Sequence, residues 1–446
     1  MTFKNHSRPY DLVVFGATGY TGSLIAEHIT TRFPTDLKWA IAGRSADKLR
    51  NVAEQCKALN SGRQPPEIEV CNLNDADVTA LAKKTFALIT TVGPYARYGE
   101  YAFKACAESG THYFDCTGEA VWHAAMIRKY EASARATGAC MFPQSAIESA
   151  PSDLVTFSMA SLIRSELSAP VGDVVVKIHE IRGAPSGGTL RTVLELFDFF
   201  PWKEVAQSHK PYALSPVPNP KKAPKPSLLS RLTGVYSMPK LGRMSTSMTA
   251  GANTAVVHRT WGLFKKEPSL QKYFYGPNFT YREFLRAKSY LGGMAMHYGI
   301  VVSGLLLVLF PPIRKLVRKY VYQPGEGTSK EAQKKECIEF RGVATPDIQP
   351  SIGKQAWCKA EFNGGLYYCK HPICLYAYMP TCLVGGISKL MTGIVTGVFA
   401  SQAACTILQD DLDLPGGIYT PACLGQGYID RLNKAGFKME TKIVDA

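Results

Sequence analysis

Gly16-Ala17-Thr18-Gly19-Tyr20-Thr21-Gly22 is the stretch on which the reading of this chain turns. An apolar run, Tyr10 to Phe15, stands directly before it. A segment with helical spacing, Tyr20 to Phe33, emerges from it and is ended by Pro34. Glycines at this spacing, in the first strand-to-helix turn, each have a physical task. Gly16 permits the tight turn, Gly19 lets the backbone approach a pyrophosphate, and Gly22 allows the helix to pack closely on the strand. The helix N-terminus then faces the phosphates with its unpaired N–H groups. The pattern predicts a dinucleotide-binding β-α-β unit.

Working outward, the same rhythm continues to about residue 150. Strands are expected at Leu37–Ala42, Ile68–Leu73, Thr85–Val92, His112–Cys116 and Ala139–Pro143. Helices are expected at Asp47–Leu59, Asp75–Lys84, Glu100–Ser109 and Glu119–Thr137, the last two closed by Gly110 and Gly138. Strand and helix alternating at this spacing make a parallel, doubly wound Rossmann sheet, so the fold class is α/β. The second strand ends Ala42-Gly43-Arg44-Ser45, with Lys48 beyond. An acidic residue there would accept the ribose 2′-hydroxyl of NAD. A cation beside a hydroxyl suits the 2′-phosphate instead, so the expected cofactor is NADP(H), with Arg44, Ser45 and Lys48 at that phosphate and Thr18, Tyr20 and Thr21 in the loop beneath the pyrophosphate.

Ligands of open α/β sheets lie outside the carboxyl ends of the strands. Asn72, after the third strand, is placed to meet the adenine edge or to cap the next helix. Thr90-Thr91-Val92-Gly93-Pro94-Tyr95 ends the fourth strand, and Gly93 and Pro94 are expected against the nicotinamide half. Asp115-Cys116-Thr117-Gly118-Glu119 ends the fifth, and Gln144 to Asp153 follows the sixth, where Ser149 or Ser152 suits a helix cap. Tyr95, Asp115 and Glu119 are the candidate proton donors or substrate-binding groups, with a first-turn helix acid as the alternative for Glu119. No GxSxG, GxxxxGK[ST] or HExxH motif occurs, and His179, His258 and His297 stand alone, which suits structural roles. Twelve scattered cysteines form neither a CxxC pair nor a zinc pattern, so no metal is expected and a reducing compartment fits. The N-terminus has no apolar leader, and the protein is expected not to be secreted.

Beyond Pro151 the rhythm changes. Asp173–Arg182 alternates like a strand with an exposed face, Gly187-Gly188 marks a turn, Thr189–Phe200 has helical spacing, and the Pro- and Lys-rich residues 211–226 suggest a mobile loop. Residues 201–320 hold 19 Lys and Arg against 3 Asp and Glu, a local excess of +16 in a chain whose total is +15. Such a block calls for an anionic partner, and the run beside it favours a membrane over nucleic acid. That run, Tyr290–Phe310, has no Asp, Glu, Lys or Arg. It stops at Pro311-Pro312 and is followed by Arg314, Lys315, Arg318 and Lys319. Two readings compete: a monotopic or embedded anchor with cations at the headgroups, which is favoured, and a buried core or homodimer helix. Cys382–Leu408, apolar but interrupted by Lys389, reads as a packed soluble helix.

Taken together, GATGYTG (16–22), TVGPYARYG (91–99), YFDCTGE (113–119) and SAPSDL (149–154) resemble the saccharopine dehydrogenase-like oxidoreductase family. Thr420-Pro421-Ala422, Leu424-Gly425 and Gly436-Phe437 look like its closing segment, so the resemblance runs the full length. The mycobacterial trans-acting enoyl reductases are similar too. The resemblance implies a Rossmann domain over 1–150, a substrate domain with a mixed sheet over 151–380, containing the basic loop 201–289 and the apolar segment 290–312, and C-terminal helices over 381–446 that return to the Rossmann side. One departure stands out: Ser145-Ala146-Ile147-Glu148 occupies the place of the family's Gly-Phe-Asp run. A saccharopine dehydrogenase acts on a soluble amino-acid adduct in a polar cleft, which an apolar segment with a basic block suits badly. The expected function is therefore hydride transfer from NADPH to a lipophilic enoyl or carbonyl lipid, at the cytoplasmic side of a membrane or at a lipid droplet. The alternative is a catalytically silent NADP(H)-binding scaffold.

Overall fold

A computed structural model describes residues 3–182, 194–317, 336–363 and 393–446. The first sheet is built from β1 (Tyr10–Phe15), β2 (Trp39–Gly43), β3 (Glu67–Val70), β4 (Thr85–Thr90), β5 (His112–Asp115) and β6 (Cys140–Phe142). They lie in the order β6-β5-β4-β1-β2-β3 and pair in parallel throughout. The helices between them are α1 (Tyr20–Arg32), α2 (Ala46–Leu59), α3 (Asp75–Lys83), α4 (Tyr95–Ser109) and α5 (Ala120–Thr137). Successive residues of β1 point to opposite faces. Leu12 and Val14 pack with Ile25 and Ile29 of α1, while Val13 and Phe15 pack with Val78 of α3 and Phe103 of α4. Both faces are covered, which is why these strands read as apolar runs rather than alternating ones.

The second sheet is mixed, in the order β14-β12-β11-β7-β10-β9-β8. Its strands are β7 (Val171–Arg182), β8 (Val235–Met238), β9 (Gly242–Thr246), β10 (Thr280–Arg286), β11 (Cys337–Pro346), β12 (Lys354–Asn363) and β14 (Lys438–Asp445), and only the β7–β10 pair is parallel. Helix α6 (Ala150–Leu167) crosses from the Rossmann side and lies along this sheet. Its Met159 packs so close to Gly342 of β11 that a Cβ there would sit 2.6 Å from the Met methyl. One apolar core therefore runs from Leu12 in the first sheet to Ala360 in the second.

Several expectations are corrected here. β7 is not an exposed-face strand. It is the middle strand of its sheet, and Val174 through Ile178 are all buried. Lys177 produced the misleading alternation; its ammonium is buried because it donates to the Leu241 carbonyl. Helix α4 starts at Tyr95 rather than Glu100, directly after a cis Gly93–Pro94 bond. The start of the 211–226 loop is pinned rather than mobile. Tyr212 stacks on His258 at 3.8 Å, its N–H donates to the His258 ring, and its hydroxyl donates to the Phe279 carbonyl. Residues 194–199 are helical as expected, whereas 189–193, the Gly187-Gly188 turn, Arg318, Lys319 and residues 382–392 lie outside the described residues.

The C-terminal segment does more than return helices to the Rossmann side. Helix α9 (Gly393–Gln409) packs on α1, where Gly397 brings the two backbones together: a Cβ there would sit 3.4 Å from the Ile25 amide. Gly417–Ile418 then forms β13, a seventh parallel strand beside β6. α10 (Gly425–Lys434) follows, and β14 closes the second sheet against β12. The two remaining long helices of the substrate side are α7 (Ala250–Lys266) and α8 (Tyr290–Leu309).

Candidate functional site

The glycine loop has the geometry its sequence predicts. Gly16 sits at φ +90°, and a Cβ on it would meet the Thr91 hydroxyl at 2.8 Å. A Cβ on Gly22 would lie 2.3 Å from the Gly16 carbonyl, so only glycine lets α1 begin so near the loop. Gly19 is the residue before the first turn of α1, at the carboxyl edge of β1. This cradle fits a pyrophosphate. After β2, Ser45 caps α2, its hydroxyl accepting from the Lys48 amide, and Asp47 is occupied by Arg50. Arg44 and Lys48 remain exposed beside the loop, free of that carboxylate, and suit a 2′-phosphate. Asn72 lies after β3, on the same edge. Its amide side chain donates to Asp77 at 2.9 Å, and the cap of α3 is Asn74.

The structure brings Tyr95, Asp115 and Glu119 together at the carboxyl ends of β4 and β5, and gives each a full set of partners. The Tyr95 hydroxyl donates to the Thr90 carbonyl at 2.9 Å and accepts from the Cys116 amide at 3.1 Å. Burial pushes its pKa well above that of a free phenol. The two carboxylate oxygens of Glu119 accept from the Tyr95 and Ala96 amides, both at 3.0 Å, which caps α4 and explains why that helix starts early. Asp115 accepts from the Tyr113 hydroxyl and from the Thr117 and Gln144 amides, joining the loops after β5 and β6. Its burial raises its pKa to about 6 against the lowering effect of those bonds. These three residues tie together the loops that follow β4, β5 and β6.

Sequence reasoning passed over Glu148, in the loop between β6 and α6. Its carboxylate lies over Gly118, where a Cβ would come within 1.7 Å of Oε2. Burial, then the Glu119 and Asp115 charges, pushes its pKa up to about 8. The signal was present as the acid standing where the family carries Gly-Phe-Asp. Spacing alone does not give its surroundings.

From the same loop a buried chain of hydrogen bonds crosses to the second sheet. His123 meets Gln144 at 2.6 Å, Gln144 donates to Ser149, Ser149 to Asn253 of α7, and Asn253 to Glu283 of β10 at 2.8 Å. Ser152 also donates to Glu283, at 2.6 Å. Ser149 and Ser152 thus serve this chain, and neither side chain caps α6. Asp153 links the SAPSDL and Thr-Pro-Ala motifs: it accepts from Thr260 at 2.6 Å and from the Ala422 amide at 2.8 Å, and burial raises its pKa to about 7.

A doubly wound sheet with this glycine cradle, a cationic second-strand end and a separate mixed sheet defines an NADP-binding oxidoreductase. The comparisons agree. Residues 12–141 match the model of the saccharopine dehydrogenase NADP binding domain. The chain is 31% identical over 450 residues to a Mycobacterium tuberculosis protein provisionally named a trans-acting enoyl reductase, covering 97% of this chain and 98% of that one. It is 28% identical over 460 residues to the saccharopine dehydrogenase-like oxidoreductase of Bos taurus, covering 97% of each. The chain belongs to the saccharopine dehydrogenase-like oxidoreductase family. The apo saccharopine dehydrogenase (L-Glu forming) of Saccharomyces cerevisiae shares its fold, with a TM-score of 0.56 at 10% identity over 98% of this chain and 100% of that one.

Proposed function

We propose that the protein reduces a lipophilic enoyl or carbonyl substrate with NADPH while seated on the cytoplasmic face of a membrane or lipid droplet. The observation that carries the membrane part is α8. It has 20 residues with a mean hydropathy of 1.7 over its most apolar window, and only 6% of that window is buried. A core helix of that composition would be covered, so its exposure among the described residues supports the anchor reading over the core one. Leu291, Leu305 and Leu309 are 76%, 54% and 64% exposed. The short helix Leu228–Thr233 joins this surface. It exposes Leu228, Leu229 and Leu232, and its Leu232 carbonyl accepts from the Tyr298 hydroxyl of α8 at 2.6 Å. Exposed Lys225, Arg231, Lys288 and Lys315 flank it, the arrangement that favours anionic headgroups. A homodimer pairing two copies of α8 is the competing use of this face.

NADPH supplies the hydride when bound. Gly16, Gly19 and Gly22 would lie under the pyrophosphate, Arg44, Ser45 and Lys48 beside the 2′-phosphate, and the Thr91–Pro94 turn beside the nicotinamide. The relatives' enoyl reductase names support the reaction class. Titration with NADPH and NADH tests the cofactor part: tighter NADPH binding, reduced at least about 10-fold by Arg44→Asp, is expected. Equal binding of both nucleotides overturns the phosphate assignment. Flotation with vesicles containing phosphatidylserine tests the membrane part. A protein that stays at the bottom of the gradient and runs as a dimer assigns α8 to the interface between copies.

A further inference from the structure

We propose that Glu148 is the proton donor of this reduction, delivering its proton to the substrate atom adjacent to the one that receives hydride. The inference rests on the reductase reading above and goes beyond it by assigning the acid. Glu148 follows β6 on the edge where the glycine loop, the Thr91–Pro94 turn and the Cys116–Glu119 loop also end. Ligands of open α/β sheets bind at that edge. Gly118 keeps the space that the carboxyl occupies, since any side chain there would overlap it.

The neighbouring acids are consumed by structure, and Glu148 is not. Asp115 and Glu119 accept amide and hydroxyl donors, whereas no donor among the described residues meets the Glu148 carboxylate. Glu148 as a residue is half-buried rather than fully enclosed. The ionisable groups that face it are Asp115, the Cys116 thiol and Glu119, all acids. Their company and the burial keep the carboxyl protonated at neutral pH, with a pKa of about 8. A carboxylic acid held neutral in a cofactor cleft can donate a proton.

The step balances. Hydride adds to one end of the polarised double bond, and the π electrons take the proton from the Glu148 oxygen at the other end. Glu148 becomes a carboxylate and is reprotonated from water, while NADPH ends as NADP+.

The test uses the full chain, with Glu148→Gln and Glu148→Asp variants and 2-dodecenal as the probe substrate. Glu148→Gln is expected to lower kcat at least about 100-fold and leave the NADPH Kd within about twofold, with Glu148→Asp recovering part of the rate. Wild-type kcat should fall above about pH 8, and the Gln variant should lose that limb. A second readout needs no turnover. The native state holds this proton more tightly than the unfolded chain, so wild-type stability should fall as pH rises from about 5 to about 8, and Glu148→Gln should flatten that slope. If wild type reduces 2-dodecenal and the Gln variant matches it in rate and pH limb, the assignment is overturned. If wild type does not reduce it, the lipophilic-enal reading is what fails. The stability slope then decides on Glu148, and its absence overturns the proposal.

Discussion

Helices α8 and α9 are both long, apolar and free of acidic first turns, yet one is bare and the other is covered from Val395 to Leu408. The difference lies in what each can approach. α9 carries Gly397, small enough to let α1 come within backbone contact, buries Ala400, Ala403 and Ala404, and places Phe399 against Phe437 at 4.8 Å. On α8 the glycines do not serve packing to the same extent. Gly293 fits against Val235, but Gly299 and Gly304 have nothing within 4 Å. Apolar composition states that a helix leaves water. Only the small residues and their partners state where it goes.

The comparison breaks most violently at Phe399. Phe399→Ala removes a fully buried ring, and urea unfolding should record a loss of about 3–5 kcal/mol. Gly397→Leu attacks the close approach to α1 and should cost about 1–3 kcal/mol, read as a lower melting temperature. The matching change on the other helix, Leu305→Glu with Leu309→Glu, should alter folding stability by less than about 1 kcal/mol, because both side chains are already exposed. The same variant should fail to float with vesicles; a large loss of stability instead would mean that α8 is covered by a partner copy. A further test concerns Asp153, which holds the segment after α9. Its raised pKa means that the native state binds a proton the unfolded chain releases. Stability should therefore decline between about pH 4 and about pH 7, by at most about 1.4 kcal/mol per unit, with a flatter profile in Asp153→Asn.

The Rossmann half was legible because its punctuation is local: glycines at a turn, Pro34 and Pro94 at breaks, Gly110 and Gly138 at helix ends. The substrate half was less so, because its signals are made by distant partners. Lys177 reads as an exposed position until the Leu241 carbonyl is placed beside it. Tyr95, Asp115 and Glu119 were located at the correct edge from strand order alone. Which amides they would satisfy depends on loops folded from elsewhere in the chain, and so does the environment of Glu148. β13 is two residues long, too short to carry any periodicity.

That two-residue strand has a consequence for synthesis. Gly417 and Ile418 pair with Cys140 and Met141 across more than half the length of the chain, whereas β14 closes the second sheet on β12, a much nearer partner in sequence. While the ribosome is still making residues 150–416, β6 presents an unpaired edge, and each sheet waits for its last strand. Loop closure over that distance makes such pairings late and slow. The first sheet thus carries an open, adhesive flank until translation passes Gly417, and its need for chaperone protection should last until then rather than end at the close of the Rossmann repeat.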